Sequence, residues 1–199
     1  MLGLSGDEGF LQTIALVLFI GICLACQSTE NGKAQASVVS VPDLGFRYTP
    51  PAGLTDKTSP SSREARNHAG SYTGKAAEVI LDMSSDDADA DQNWHQLWMF
   101  IFPRANLAGL DDAAAEAKMN AALASPRSIA LGKPQTVARG GRNFLVSEFE
   151  QKEAPLVKHA RIFTAVCKGQ LVSFVLVSNS ADQVSAMEQS LNSLNFPGR

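Results

Sequence analysis

The first 26 residues contain no lysine and no arginine, although the chain of 199 residues has 17 of them. Asp7 and Glu8 lie in that stretch, so the part after Cys26 carries 17 positive against 18 negative charges (20 less those two), a net charge of −1. A balance so near zero argues against a nucleic-acid binder, which needs a basic stripe to neutralise phosphates. It equally gives no general attraction to anionic lipid. Three cysteines are too few for a disulfide lattice. Histidines 68, 95 and 159 form no HxH or HExxH pair, so no metal spacing is visible. GxSxG, Walker and GxGxxG patterns are absent too, which leaves no motif for a nucleophile elbow or a phosphate cradle. Long apolar runs are also missing. The longest, Ile14 to Ala25, has twelve residues without a charge, short of the roughly 20 that a bilayer-spanning helix needs.

That run reads as the hydrophobic part of an export signal, so residues 1–26 are expected to be a signal peptide. Its end, Leu24-Ala25-Cys26, resembles a bacterial lipobox, in which a lipid is attached to the cysteine and the chain is cut before it. Cys23 stands where that pattern prefers leucine, and the acidic start departs from the usual positive one. Lipidation at Cys26 is the expected outcome. Cleavage without lipid, at Ala25 or after Ala36, and an uncleaved anchor remain open. Residues 27–43, rich in Ser, Ala, Gly and Gln, are expected to be a flexible tether. A single domain over 44–199 follows, of ordinary size for one core.

Along the domain, Phe46-Arg-Tyr48-Thr alternates and stops at Pro50-Pro51, a short strand. Thr55 to Lys75 reads as a long polar loop, and Ala77 to Ser84 as a strand with one wet face. Trp94 to Phe102 is apolar on both faces toward its end, as a central strand must be. Leu110 to Ala124 predicts a helix capped by Asp111 or Asp112 and stopped at Ser125-Pro126. Gly140-Gly141 and Lys168-Gly169 mark two hairpin turns, between Val137–Arg139 and Asn143–Gln151, and between Val157–Val166 and Leu171–Ser178. Ser180 to Gln183 has the form of a capping box opening a last helix, with Val184, Met187, Leu191 and Leu194 at helical spacing. Strands in runs, interrupted by two helices and without βαβ alternation, predict an α+β fold: an antiparallel β-sheet packed with two main helices.

FRYTPPAGL at residues 46–54, the LDDAAAEAKMNAAL helix, GGRNF at 140–144 and the closing SLNSLNF resemble the PsbP-like and DcrB-like superfamily over most of residues 44–196. The resemblance implies a PsbP-like sandwich and an extracytoplasmic accessory domain, lipid-anchored in some members, that works by binding a protein partner. It implies no catalytic residues and no cofactor.

Candidate sites follow from what remains. Lys57, Arg63 and Arg66 make the 55–75 loop the most basic segment of a slightly acidic domain, a place where an acidic envelope partner could be steered. Trp94, Trp98 and Phe100 form an aromatic row on one strand face. Such rows usually serve core packing, but with Met119 of the helix they could also wall a cleft for a small apolar ligand. Asp86, Asp87, Asp89 and Asp91 have the start of a calcium loop, but Gln92 and Trp98 fall where the turn glycine and the closing glutamate belong, so an EF-hand is excluded. Cys167 lies in an apolar strand and is expected to act as a small hydrophobe. The expectation is a non-enzymatic envelope lipoprotein with a protein partner and no nucleic acid. The alternatives are a carrier of a small apolar ligand and, third, an uncharted hydrolase.

Overall fold

The computed structural model describes residues 38–58 and 77–196. The expected signal peptide with Cys26, and Arg63, Arg66 and His68 of the expected long loop, lie outside the described residues. Among those described, no helix is long and apolar enough to cross a membrane.

The strands are β1 (Val39–Val41), β2 (Phe46–Tyr48), β3 (Thr55–Asp56), β4 (Glu78–Ser84), β5 (His95–Pro103), β6 (Ile129–Ala130), β7 (Gln135–Arg139), β8 (Arg142–Glu153), β9 (Leu156–Cys167) and β10 (Gln170–Ser178). The helices are α1 (Asp112–Leu123) and α2 (Ala181–Ser190), each with a short 3-10 turn beside it in sequence. β1 and β2 form a two-stranded ribbon. The others build one antiparallel sheet in the order β3-β4-β5-β10-β9-β8-β6, with β7 also paired to β8. The expected α+β architecture, one antiparallel sheet with two main helices, is therefore the observed one.

The ends of the elements follow from local chemistry. Asp111 caps α1 by accepting from the Ala114 amide at 2.8 Å. Gly140 and Gly141, at φ 57° and 76°, and Lys168 and Gly169, at 47° and 74°, take the paired left-handed conformations of tight hairpin turns. Gly140 is also forced by space, because a Cβ there would sit 2.6 Å from the Leu194 carbonyl oxygen. The start of α2 departs from the expected box. Ser180 makes no side-chain cap. Instead the Ser178 hydroxyl accepts from the Ser180 amide at 3.0 Å and lies 2.9 Å from Gln183 Oε1. β1 falls within residues 27–43, so Val39–Val41 of the expected tether is strand.

Alternation along the inner strands sends residues to two cores. On one face, Leu97, Met99, Phe163, Val172, Phe174 and Leu176 pack under α2, the β1–β2 ribbon and the chain end at Leu191 and Leu194. Tyr48 is fully buried there with its hydroxyl 2.7 Å from Ser190 Oγ, and burial pushes its pKa far up, so it stays neutral. On the other face Val79, Phe100, Phe102, Ile162, Leu171 and Val175 pack under Ala115 and Met119 of α1.

α1 is registered by a polar chain rather than by apolar fit alone. Asn120 is 1% exposed. Its amide nitrogen donates to Leu145 O and Ser147 Oγ, both at 3.0 Å, and its oxygen accepts from Thr164 Oγ1 at 2.6 Å, which in turn bonds Ser173 Oγ at 2.7 Å. One turn earlier, half-buried Glu116 accepts from the Val166 amide at 3.1 Å. Burial raises the Glu116 pKa, and the Val166 bond opposes the shift without cancelling it. A raised folded-state pKa means that the native state binds more protons than the unfolded one. The contribution of Glu116 is thus present at low pH and lost as pH rises through its folded value. Glu116→Gln is expected to gain stability relative to the wild type as the pH rises from roughly 4 to 6. Melting curves of both proteins across that range check the sign.

Candidate binding cleft

Past Met119, α1 offers the sheet Ala122, Leu123 and Ala124 before Ser125-Pro126 stops it. The facing sheet positions mix large and small side chains, with Ala160 near the middle. Two rows cross β5, β10, β9 and β8 there: Trp98, Val175, Ile162, Ser147, and Gln96, Val177, Ala160, Phe149. Ala122 and Ala124 on the helix side and Ala160 on the sheet side do not reach across to each other, and a cavity of about 410 Å³ is left there. Trp94, Trp98 and Phe100 form one wall, Ala160, Ile162, Val175 and Val177 the floor, and the segment 122–126 the roof. This volume lies in the range of small-molecule sites, which are mostly apolar with a few placed polar groups.

Lys158 is the one charged side chain among the described residues that line the cleft. Its ammonium lies 5.0 Å from the centroid of the Trp94 ring and 2.7 Å from Asp89 Oδ1, with the side chain 19% exposed. Asp89 is held from the other side. The Asn179 amide nitrogen donates to Asp89 O at 2.8 Å and to Asp91 O at 2.7 Å, which ties the acidic turn across the end of β10. The rim is thus a fixed stack of indole, ammonium and carboxylate.

Of the residues expected to wall an apolar cleft, Trp94, Trp98 and Phe100 do line the cavity, whereas Met119 does not: at 1% exposure it plugs the core one turn further back along α1. Ala160, Ala122 and Lys158 were not singled out from the sequence. The signal for the first two is the lack of side-chain volume at facing positions, legible only once strand and helix are paired. Lys57 of the proposed basic surface bonds Asp86 Oδ1 at 3.3 Å. The Asp86 carboxyl is held below its ordinary pKa by the Thr55 hydroxyl and then by Lys57. Of the other acidic-turn side chains, Asp89 reaches Lys158 and Asp91 accepts from the Asn93 amide at 2.8 Å. No group of three or more His, Cys, Asp or Glu side chains that could hold a metal comes together among the described residues.

Two other polar groupings have structural work. Glu148, His159, Glu150 and Ser178 lie on the α2 face, and Ser178, His159 and Glu150 are cross-strand neighbours in one row. Their spacing suggests a nucleophile, base and acid, but Ser178 Oγ is fully buried against Trp94 O, the Ser180 amide and Gln183. Glu188 of α2 is gripped by Arg139, at 2.6 Å, and by Arg161, which also reaches Glu148 at 3.0 Å. This network pins α2 to β7 and β9 beside a smaller cavity of about 220 Å³.

The chain is similar over 86% of its length to the solution structure of CyanoP, the cyanobacterial PsbP of Synechocystis sp. PCC 6803, covering 99% of that chain at 12% identity with a TM-score of 0.50. The fold is PsbP-like. A crystal structure from Bacteroides thetaiotaomicron VPI-5482 is similar over 83% of this chain and 50% of its own, at 10% identity and a TM-score of 0.50. LpqN of Mycobacterium tuberculosis, a protein involved in cell envelope biogenesis, matches over 80% of this chain and 88% of its own at 8% identity and a TM-score of 0.47. At such identities the likeness is one of fold. No family model matches the sequence, and comparison with curated proteins finds no match.

Proposed function

We propose that this PsbP-like domain is a non-enzymatic, exported binding module of the bacterial cell envelope, attached to the membrane by a lipid on Cys26, that holds a small apolar ligand between its sheet and the C-terminal end of α1. The observation that carries the reading is the aromatic-walled cavity of about 410 Å³, roofed by alanines. A packing core would fill that space, since protein interiors leave few voids larger than a water molecule. The rival reading, a protein partner steered by Lys57, Arg63 and Arg66, draws less support. Lys57 is engaged with Asp86, and the two arginines lie outside the described residues.

The test is to fill the cleft. Ala160 and Ala122 are half-buried on opposite walls, so Ala160→Phe and Ala122→Phe project a ring into the cavity without entering the packed core. The uncharged dye Nile red is expected to bind the wild type at one site and each variant at least about tenfold more weakly, a loss of about 1.4 kcal/mol. Melting temperatures should stay close to wild type. Equal dye affinity in all three proteins would contradict the proposal.

A further inference from the structure

Resting on the reading of the cleft as a ligand site, we infer that its ligand is an apolar carboxylic acid, bound with its chain or ring against Trp98 and its carboxylate at Lys158. The walls set the apolar part. The rim sets the charge. Apart from Lys158, every described lining residue is apolar or a neutral polar residue such as Gln151, Ser125 and Ser128. An ammonium that stands at the edge of an apolar cavity is a strong point of attraction for an anion, and the low-dielectric wall beside it keeps water from screening the contact. The Lys158 ammonium over the Trp94 ring, on a side chain only 19% exposed, stands at the rim and not in bulk solvent. The C-terminal end of α1 forms the roof, and its outward carbonyls carry a partial negative charge. They oppose an anion at that end and so favour a pose with the carboxylate on the β9 side, at Lys158.

Asp89 gives the inference its sharpest consequence. Its side chain is 65% exposed and its carboxylate sits 2.7 Å from the lysine. An ammonium carries three donors, so it can serve a ligand carboxylate while Asp89 holds it from outside. The two carboxylates nevertheless repel through the shared cation. Removing the Asp89 charge should therefore strengthen binding of an acid, whereas a lysine with a purely structural role would lose its anchor and bind no better.

Both tryptophans of the chain, Trp94 and Trp98, line the cleft, so tryptophan fluorescence, excited selectively over the two tyrosines, reports this site alone. The full chain is titrated at neutral pH with decanoate, decanol and decylamine below their micelle concentrations. Decanoate is expected to bind about tenfold tighter than decanol, the size of one charge-assisted hydrogen bond, and decylamine is expected to bind weakest. Lys158→Met should remove the preference, Lys158→Arg should keep it, and Asp89→Asn should tighten decanoate roughly two- to fivefold while leaving decanol unchanged. Decanol binding as tightly as decanoate, or a preference that survives Lys158→Met, would overturn the acid assignment and leave the apolar site standing. No response to any of the three ligands by a folded protein would overturn both.

Discussion

Phe174→Ala is expected to cost roughly 3 to 5 kcal/mol of folding stability. Phe174 is fully buried at the middle of β10, the strand between β5 and β9. Its ring is the hub of an aromatic cluster, with Tyr48 at 5.3 Å, Phe144 at 6.2 Å and Phe46 at 6.5 Å, all near edge-to-face. Truncation removes a buried ring that three others pack against, and the sheet backbone around it is paired on both sides and cannot collapse into the hole. Domains of this size hold only about 5 to 15 kcal/mol in all, so a large part of the margin goes. Phe196, half-exposed at the edge of the same cluster, is the control and should cost roughly half as much or less on the same change. Urea unfolding of the two variants measures both. A Phe174→Ala loss under about 1.5 kcal/mol would mean that the layer between the sheet and α2 is not packed as described.

The second large effect belongs to the opposite face. Asn120→Leu should destabilise by roughly 2 to 4 kcal/mol, although leucine is apolar, close in size and a better helix former. The loss comes from what is stranded. Ser147 Oγ loses its Asn120 donor, and Thr164 Oγ1, fully buried, loses its acceptor, each at about 1 to 3 kcal/mol. Combining Asn120→Leu with Thr164→Val and Ser147→Ala removes the stranded groups together with their partner. The triple variant is expected to recover much of the lost stability, because residues of one network do not add. A triple variant less stable than Asn120→Leu by the sum of the separate changes would show that these bonds act independently.

How far the sequence reveals the fold depends on what each element needs to declare itself. α1 announces both ends, with Asp111 as cap and Ser125-Pro126 as stop, and its observed span differs from the expected one by two residues at the start and one at the end. The Gly140-Gly141 and Lys168-Gly169 turns are visible because positive φ angles favour glycine, present at 140, 141 and 169. β3 and β6, two residues each, are not visible, since two residues carry no period and their strand character comes from the edges of β4 and β8. The β8–β9 turn is missed for a related reason: Glu153 to Leu156 contains no glycine, so two long strands looked like shorter ones with a loop between. The aromatic wall of the cleft is legible from Trp94, Trp98 and Phe100, a period-two row. Its roof and floor are not, because Ala122 and Ala160 matter through the volume they lack, and missing volume is a property of two elements after they meet. Met119 illustrates the converse. Its helical position was read correctly and its facing partner was not, so it fills the core that the cleft adjoins.

The account turns on whether the space between the sheet and the end of α1 is where a ligand sits, and residue-resolved NMR titration of the folded protein with decanoate tests that most directly. Shifts concentrated on the Trp94 and Trp98 indole N–H groups and on the amides of Ala122, Ala124, Lys158 and Ala160 are the predicted result. Shifts on the other face of the sheet, around Phe46, Val184 and Met187, with the two indoles unmoved, would contradict it.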